Sequence, residues 1–244
     1  MTFEPLIADH ILVFLFGIVF PANAIFRSQP LMKTLGDWST DMKIAFYRGN
    51  GAMLWLMAAV VVGLWLFAGR SLGDLGFRLP LPGTWMQSLL LSGAFLLAYG
   101  IDAWQEVATP GKREKTVSGW RKNTPFLPEN KRELRAFFGL SFSAAVGEEV
   151  LFRGYFISYL LALFGLSYGA KVAALLIPTA IFAVSHYYQG WNAIGKIALL
   201  SLAFGLLFLI SGSLLLPVVL HLVVDVVGGW LAFRVMSESA QQKQ

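Results

Sequence analysis

Glu148, Glu149 and Arg153 interrupt the apolar run AFFGLSFSAAVGEEVLFRGYFISYLLALFG, residues 136–165. An ionised side chain at the centre of a bilayer costs roughly 2.5–3.5 kcal/mol on insertion scales. Three of them within six residues must face a protein interior or a wet cavity. Glu149 and Arg153 are four apart and share a helix face, so a carboxylate–guanidinium pair can form there. Glu148 lies about 100° around the same helix with no local cation. It is the less compensated charge and suits a general acid or base. The plainer reading is that all three staple helices together. The last part of the chain adds His186, in PTAIFAVSHYYQGW with Phe182 one turn earlier. It also adds His221 and Asp225, four apart in LPVVLHLVVDVVGGW. Taken alone, His186 reads as an interfacial residue beside Tyr187 and Tyr188, and His221–Asp225 as a polar pair between helices. His10 reads as interfacial. Taken together, two Glu, one Arg, two His and one Asp on three helices are an acid–base inventory.

Other hydrolytic routes lack their residues. The chain has no cysteine, so no thiol nucleophile, disulfide or thiolate metal site is available. There is no HExxH pair and no Gly-x-Ser-Gly segment. Asp225 is the only aspartate deep in a predicted helix, and a two-aspartate mechanism needs two. A glutamate-led route remains.

These residues must be positioned by membrane helices. The 244 residues are 57% hydrophobic and 14% charged, against about 25% charged in a soluble domain, and the mean hydropathy is +0.64. Long apolar runs without alternation exclude a β-barrel. Seven segments reach spanning length, near 8–26, 50–69, 85–104, 136–164, 170–188, 193–211 and 213–234. The predicted fold is therefore all-α, a polytopic transmembrane bundle of about seven helices. No signal-peptide pattern opens the chain, so the first segment is expected to remain. Fifteen Lys and Arg fall on one side of this arrangement, including Lys33 and Lys243, and Arg70, Arg78 and Lys171 on the other. That bias predicts N-out, C-in. It also accounts for the net charge of +5 without nucleic acid. The predicted division is a variable N-terminal part with a basic cytoplasmic loop (1–130), a core (131–236) and a polar tail (237–244). Loop 105–135 contains Pro110, Pro125 and Pro128, which argue against one continuous helix. Its Trp120 and Phe126 suggest contact with headgroups, although a solvated connector that obeys the positive-inside rule is the favoured reading of the loop.

GEEVLFRGYF resembles the Glu-Glu-x-x-x-Arg motif of the CPBP family, the CAAX-type and bacteriocin-processing (Abi-type) intramembrane proteases. FAVSH is similar to that family's Phe-x-x-x-His motif, and HLVVD to its His-x-x-x-Asn/Asp motif. All three stand in family order within predicted helices, and the resemblance covers about 130–234. LGDLGFRLP, near 72–80, is similar to a segment often seen before the core. The resemblance implies that Glu148 activates water and His186 positions it. It implies that His221 and Asp225 polarise the scissile carbonyl, and that Glu149 and Arg153, with Phe182, give structural support. Asparagine is common where Asp225 stands. An ionised aspartate cannot donate a hydrogen bond, so Asp225 would act protonated or as the acceptor that orients His221.

Two chemistries fit this set. In one, Glu148 and His186 activate water without metal and His221 stabilises charge. In the other, Glu148, His186 and His221 hold Zn2+ with an open position for water. The metal-free version is favoured. Counting from residue 136, Glu148 lies about 12 residues, or roughly 18 Å, from the cytoplasmic start of its helix, whereas His186 lies near the cytoplasmic face. The two meet if residues 136–142 lie along the interface, or if a hydrated cavity opens deeply from the cytoplasm. The expected partners are the lipid bilayer and a membrane-associated or prenylated peptide. The expected location is a prokaryotic cytoplasmic membrane. The rival readings are a non-catalytic immunity or scaffold protein and a proton-coupled transporter. No inverted repeat supports the transporter.

Overall fold

A computed structural model describes residues 3–28 and 38–241, and every regular element among them is helical. The helices are α1 (Ile7–Arg27), α2 (Thr40–Phe67), α3 (Trp85–Val107) and α4 (Pro110–Asn123). They continue with α5 (131–164), α6 (Tyr168–Ser185), α7 (Trp191–Ser211) and α8 (Leu215–Gln241). Among the described residues, six helices (α1, α2, α3, α6, α7 and α8) are long and apolar enough to cross a membrane. The charges on α5 keep it out of that set. The surface exposes many large apolar side chains, and several charged groups lie within the apolar interior. Leu56, Phe67, Met86, Leu90 and Leu199 are exposed, while Asp9, Lys43, Glu133, Glu149 and Arg153 are buried. That arrangement suits a solvent of lipid chains, and the chain is an integral membrane protein.

Several boundaries differ from expectation for identifiable reasons. Helix α2 begins at Thr40, ten residues before the predicted span, because Ser39 caps it by accepting from the Met42 amide at 3.3 Å. Lys43 is therefore helical and buried, held by Glu129 at 3.1 Å and Glu133 at 3.3 Å. The expected basic loop 105–135 is largely helical, made of the end of α3, all of α4 and the start of α5; Thr109 caps α4 and Pro110 takes its first position, where proline costs no hydrogen bond. Pro125 and Pro128 follow the helix, as their chemistry requires. Phe126 does not face headgroups. It is buried against Phe46 and Tyr47, and the Tyr47 hydroxyl donates to its carbonyl. Trp120 packs on the cluster formed by Val117, Ala232 and Met236. Helix α8 runs through Gln241, so the first part of the expected polar tail is helical. Lys33 and Lys243 lie outside the described residues.

Helix α5 has three parts, Lys131–Glu149, a π-helical stretch Val150–Ile157, and Ser158–Phe164. No break separates residues 136–142 from the rest, so this segment does not turn away from its helix. It packs along α2 in parallel register, from Glu133 beside Thr40 to Gly147 beside Leu54. A Cβ on Gly147 would lie 3.0 Å from the Leu54 carbonyl oxygen, and one on Gly154 would lie 2.7 Å from that of Leu75. Glycine at both positions lets backbones approach closely, a common device between membrane helices. All eight residues of the π-helical stretch are buried. Its irregular carbonyls are thus sheltered from lipid.

The loop between α2 and α3 clamps the turn between α7 and α8. The Leu81 amide donates to Ser211 O at 2.8 Å, Arg78 Nε to Gly212 O at 3.0 Å, and the Leu214 amide to Gly76 O at 2.9 Å. Ser213 Oγ donates to the Arg78 carbonyl. Gly76 has φ +101°, a left-handed conformation that glycine adopts without strain. The LGDLGFRLP segment therefore fixes the start of the helix that carries His221.

Candidate active site

Glu149 is fully buried, and one of its oxygens takes two donors. Its Oε1 accepts from Arg153 Nη1 at 2.8 Å and from His221 Nδ1 at 2.7 Å. The first contact is the i,i+4 pair legible in the sequence. The second joins α5 to α8 across 72 residues. Oε2 of Glu149 is buried with no hydrogen-bond partner among the described residues. Arg153 reaches a third helix, donating from Nη2 to Ser201 Oγ at 3.0 Å and to Ser201 O at 3.2 Å. Ser201 Oγ lies 3.4 Å from Thr179 Oγ1 on α6. The rings of Phe182 and Phe204 cover the guanidinium at 4.9 and 5.5 Å, a favourable cation–π arrangement. One buried charge cluster thus holds α5, α6, α7 and α8 together.

The Glu149 carboxylate can only accept, so Nδ1 of His221 carries a proton. Its Nε2 faces two further carboxylates, Glu148 Oε2 at 3.7 Å and Asp225 Oδ2 at 3.8 Å. Both separations exceed a hydrogen bond. Glu148 accepts no hydrogen bond among the described residues, and its side chain is 16% exposed against 0% for Glu149. Asp225 is 29% exposed. The neighbouring glutamates therefore differ sharply. Glu149 is sealed and committed to Arg153 and His221, while Glu148 is partly open with its oxygens unclaimed. Orientation of His221, assigned to Asp225 as one option from sequence, falls to Glu149.

His186 caps the C-terminus of α6. Its Nδ1 lies 2.8 Å from Phe182 O. A carbonyl can only accept, so Nδ1 carries the proton and Nε2 is left as an acceptor in the neutral ring. Pro178, one turn before Phe182, removes a helix amide. The Phe182 ring is the meeting point of the site. It lies 4.5 Å from the His186 ring, 6.3 Å from that of His221 and 5.0 Å from Phe152. The structure brings together Glu148, Glu149, Arg153, Phe182, His221 and Asp225. It sets His186 against Phe182, with no hydrogen bond or ion pair from His186 to Glu148, His221 or Asp225 among the described residues. Among those residues no group of three His, Asp or Glu could hold a metal ion. Glu148, His186 and His221 as placed do not fit the zinc set.

Three participants were not singled out from sequence. Ser201 and Phe204 complete the Arg153 site, and their only signal was a serine inside an apolar helix. Tyr188, named from sequence only as a neighbour of His186, is half-buried, with its ring 5.8 Å from His186 and 5.9 Å from Phe126. Its oxygen accepts from Gln189 Nε2 at 3.2 Å. Burial raises its phenol above the ordinary range; the Gln189 hydrogen bond opposes this, and the Glu148 and Asp225 carboxylates add to it. Tyr188 is therefore a neutral hydroxyl near the two open carboxylates.

Residues 130–227 match the Rce1-like family, described as type II CAAX prenyl endopeptidase Rce1-like. This region is similar to that protease family. The expectation drawn from the three motifs is met, and the matched stretch contains every residue of the site. Neither a curated protein nor a solved structure matches the chain. The family is described as one of CAAX-type endopeptidases, and the buried acid–base cluster lies within the matched residues.

Proposed function

We propose that the chain is an intramembrane endopeptidase that hydrolyses peptide bonds in membrane-associated or lipidated peptides with water activated by Glu148. The observation that carries this reading is the division between the two glutamates. Glu149 has its cationic partners and Glu148 has oxygens free for water. Glu148 takes a proton from water as the oxygen attacks the scissile carbonyl carbon. A protonated His221 Nε2 faces the region where negative charge develops, its other nitrogen held by Glu149. Glu148 then passes its proton to the leaving amine nitrogen as the carbon–nitrogen bond breaks. The products are a carboxylate and an amine. His186, through its free Nε2, positions the water, and Asp225 supports His221. No metal takes part in this scheme.

The polar pairs support seven crossings. At one end Arg70 pairs with Asp9, Tyr155 donates to Asp9, and Tyr159 meets His10. At the other end Lys43 pairs with Glu129 and Glu133, and Lys196 with Asp102 and Glu106. Helix α5 takes part in both sets, so it runs from end to end although its charges are costly. With the basic end in the cytoplasm, the arrangement is N-out, C-in, in a prokaryotic cytoplasmic membrane. The site then opens through a hydrated cavity on the cytoplasmic side.

A scaffold reading has one observation in its favour, the buried Glu149–Arg153–His221 cluster, which would serve structure without catalysis. Glu148 separates the two. A Glu148→Ala variant that keeps full biological function at normal abundance supports the scaffold. A variant that stays folded but cleaves no peptide supports the enzyme.

A further inference from the structure

A cavity of about 530 Å³ lies away from the glutamates, between the first turns of α2 and α5. Asp41, Ile44 and Arg48 line it from α2, and Arg132, Arg135 and Ala136 from α5. The α2 positions are spaced three and four apart, and Arg135 and Ala136 lie three and four residues after Arg132, so one face of each helix meets the other across a groove. Asp41 compensates one of the three arginines, pairing with Arg132 at 3.0 Å. Arg48 and Arg135 have no hydrogen-bond or ion-pair partner among the described residues, and both are exposed. Two uncompensated guanidinium groups thus converge on a cavity floored by Ile44 and Ala136. The nearby carboxylates of Glu129 and Glu133 are already taken by Lys43.

We propose that this cavity binds the phosphate-bearing headgroup of an anionic lipid. Guanidinium forks match phosphate oxygens in pairs, and the apolar floor suits the start of an acyl chain. The groove sits at the same end as the Lys43–Glu133 pair, the level where headgroups meet the helix ends. Its assignment to the cytoplasmic leaflet rests on the orientation proposed above, but the binding itself does not. A lipid held here bridges α2 to the helix that carries Glu148.

The test uses full-length protein in detergent and native mass spectrometry, so neither proteolysis nor orientation enters the readout. The probes are phosphatidylglycerol, phosphatidylcholine and inorganic phosphate. Wild type is compared with Arg48→Gln/Arg135→Gln and with Lys112→Gln/Lys115→Gln, which removes the same charge from exposed positions on α4. Wild type and the lysine variant are expected to retain phosphatidylglycerol in preference to phosphatidylcholine. The arginine variant is expected to lose roughly tenfold or more in affinity, the scale of lost charge-assisted hydrogen bonds. Its melting temperature without lipid is expected to stay unchanged, since both arginines are exposed. Equal retention by the two variants overturns the proposal, as does equal binding of phosphatidylcholine. Displacement of the lipid by millimolar inorganic phosphate assigns the site to free phosphate and overturns the lipid.

Discussion

At the level of single residues, adjacent glutamates have opposite circumstances. The i,i+4 rule identifies Glu149 and Arg153 as a pair from sequence alone, since both lie on one helix. The Glu149–His221 bond is invisible at that level, because it depends on how α5 and α8 cross. The same limit hid Ser201 and Phe204, whose relation to Arg153 exists only in the packed bundle. The difference between the glutamates gives a stability prediction. Glu149→Gln leaves Arg153 as a buried charge without its carboxylate, and is expected to cost about 3–5 kcal/mol. Glu148→Gln removes no hydrogen bond and is expected to leave stability nearly unchanged. Denaturant or thermal unfolding in detergent measures both. Similar losses for the two would mean that Glu148 is as structurally committed as Glu149.

At the level of elements, hydrophobic run length located the helices, but charged residues misled where distant partners compensate them. Lys43 read as loop because its partners, Glu129 and Glu133, lie 86 and 90 residues away. Lys196 sits inside the apolar helix α7, where Asp102 and Glu106 on α3 meet it at 2.6 and 2.5 Å. Phe126 looked like a headgroup contact because its sequence neighbours are basic, and sequence does not show that Tyr47 and Phe137 enclose it. The π-helical stretch after Glu149 has no sequence signature that run length could reveal. Glycine contacts offer a direct check on this packing. Gly154→Ala would bring a Cβ to 2.7 Å from the Leu75 carbonyl, whereas Gly139 has nothing within 4 Å. The first substitution is expected to destabilise by about 1–3 kcal/mol. Gly139→Ala is expected to be neutral or to stabilise by up to about 1 kcal/mol through helix propensity. A reversed order in a melting experiment would contradict the close approach of α5 to the α2–α3 loop.

At the level of the whole molecule, the proposed seven crossings, N-out and C-in, decide which loops share an end. The absence of cysteine makes this testable with single introduced thiols. Lys171→Cys on α6 and Lys112→Cys on α4 are both exposed sites. In intact cells a membrane-impermeant maleimide is expected to label position 171 and to reach position 112 only after permeabilisation. Labelling of both from outside would require a different number of crossings.

Glu148 is proposed to activate water for peptide hydrolysis without metal. The most direct measurement is cleavage of a prenylated and an unprenylated peptide by purified protein, comparing wild type with Glu148→Gln, each with and without a chelator. Wild type is expected to cleave with the chelator present or absent, and Glu148→Gln to lose about 10²–10⁴-fold, the usual contribution of a general base. Full activity in Glu148→Gln, or activity abolished by the chelator and restored by zinc, would contradict it.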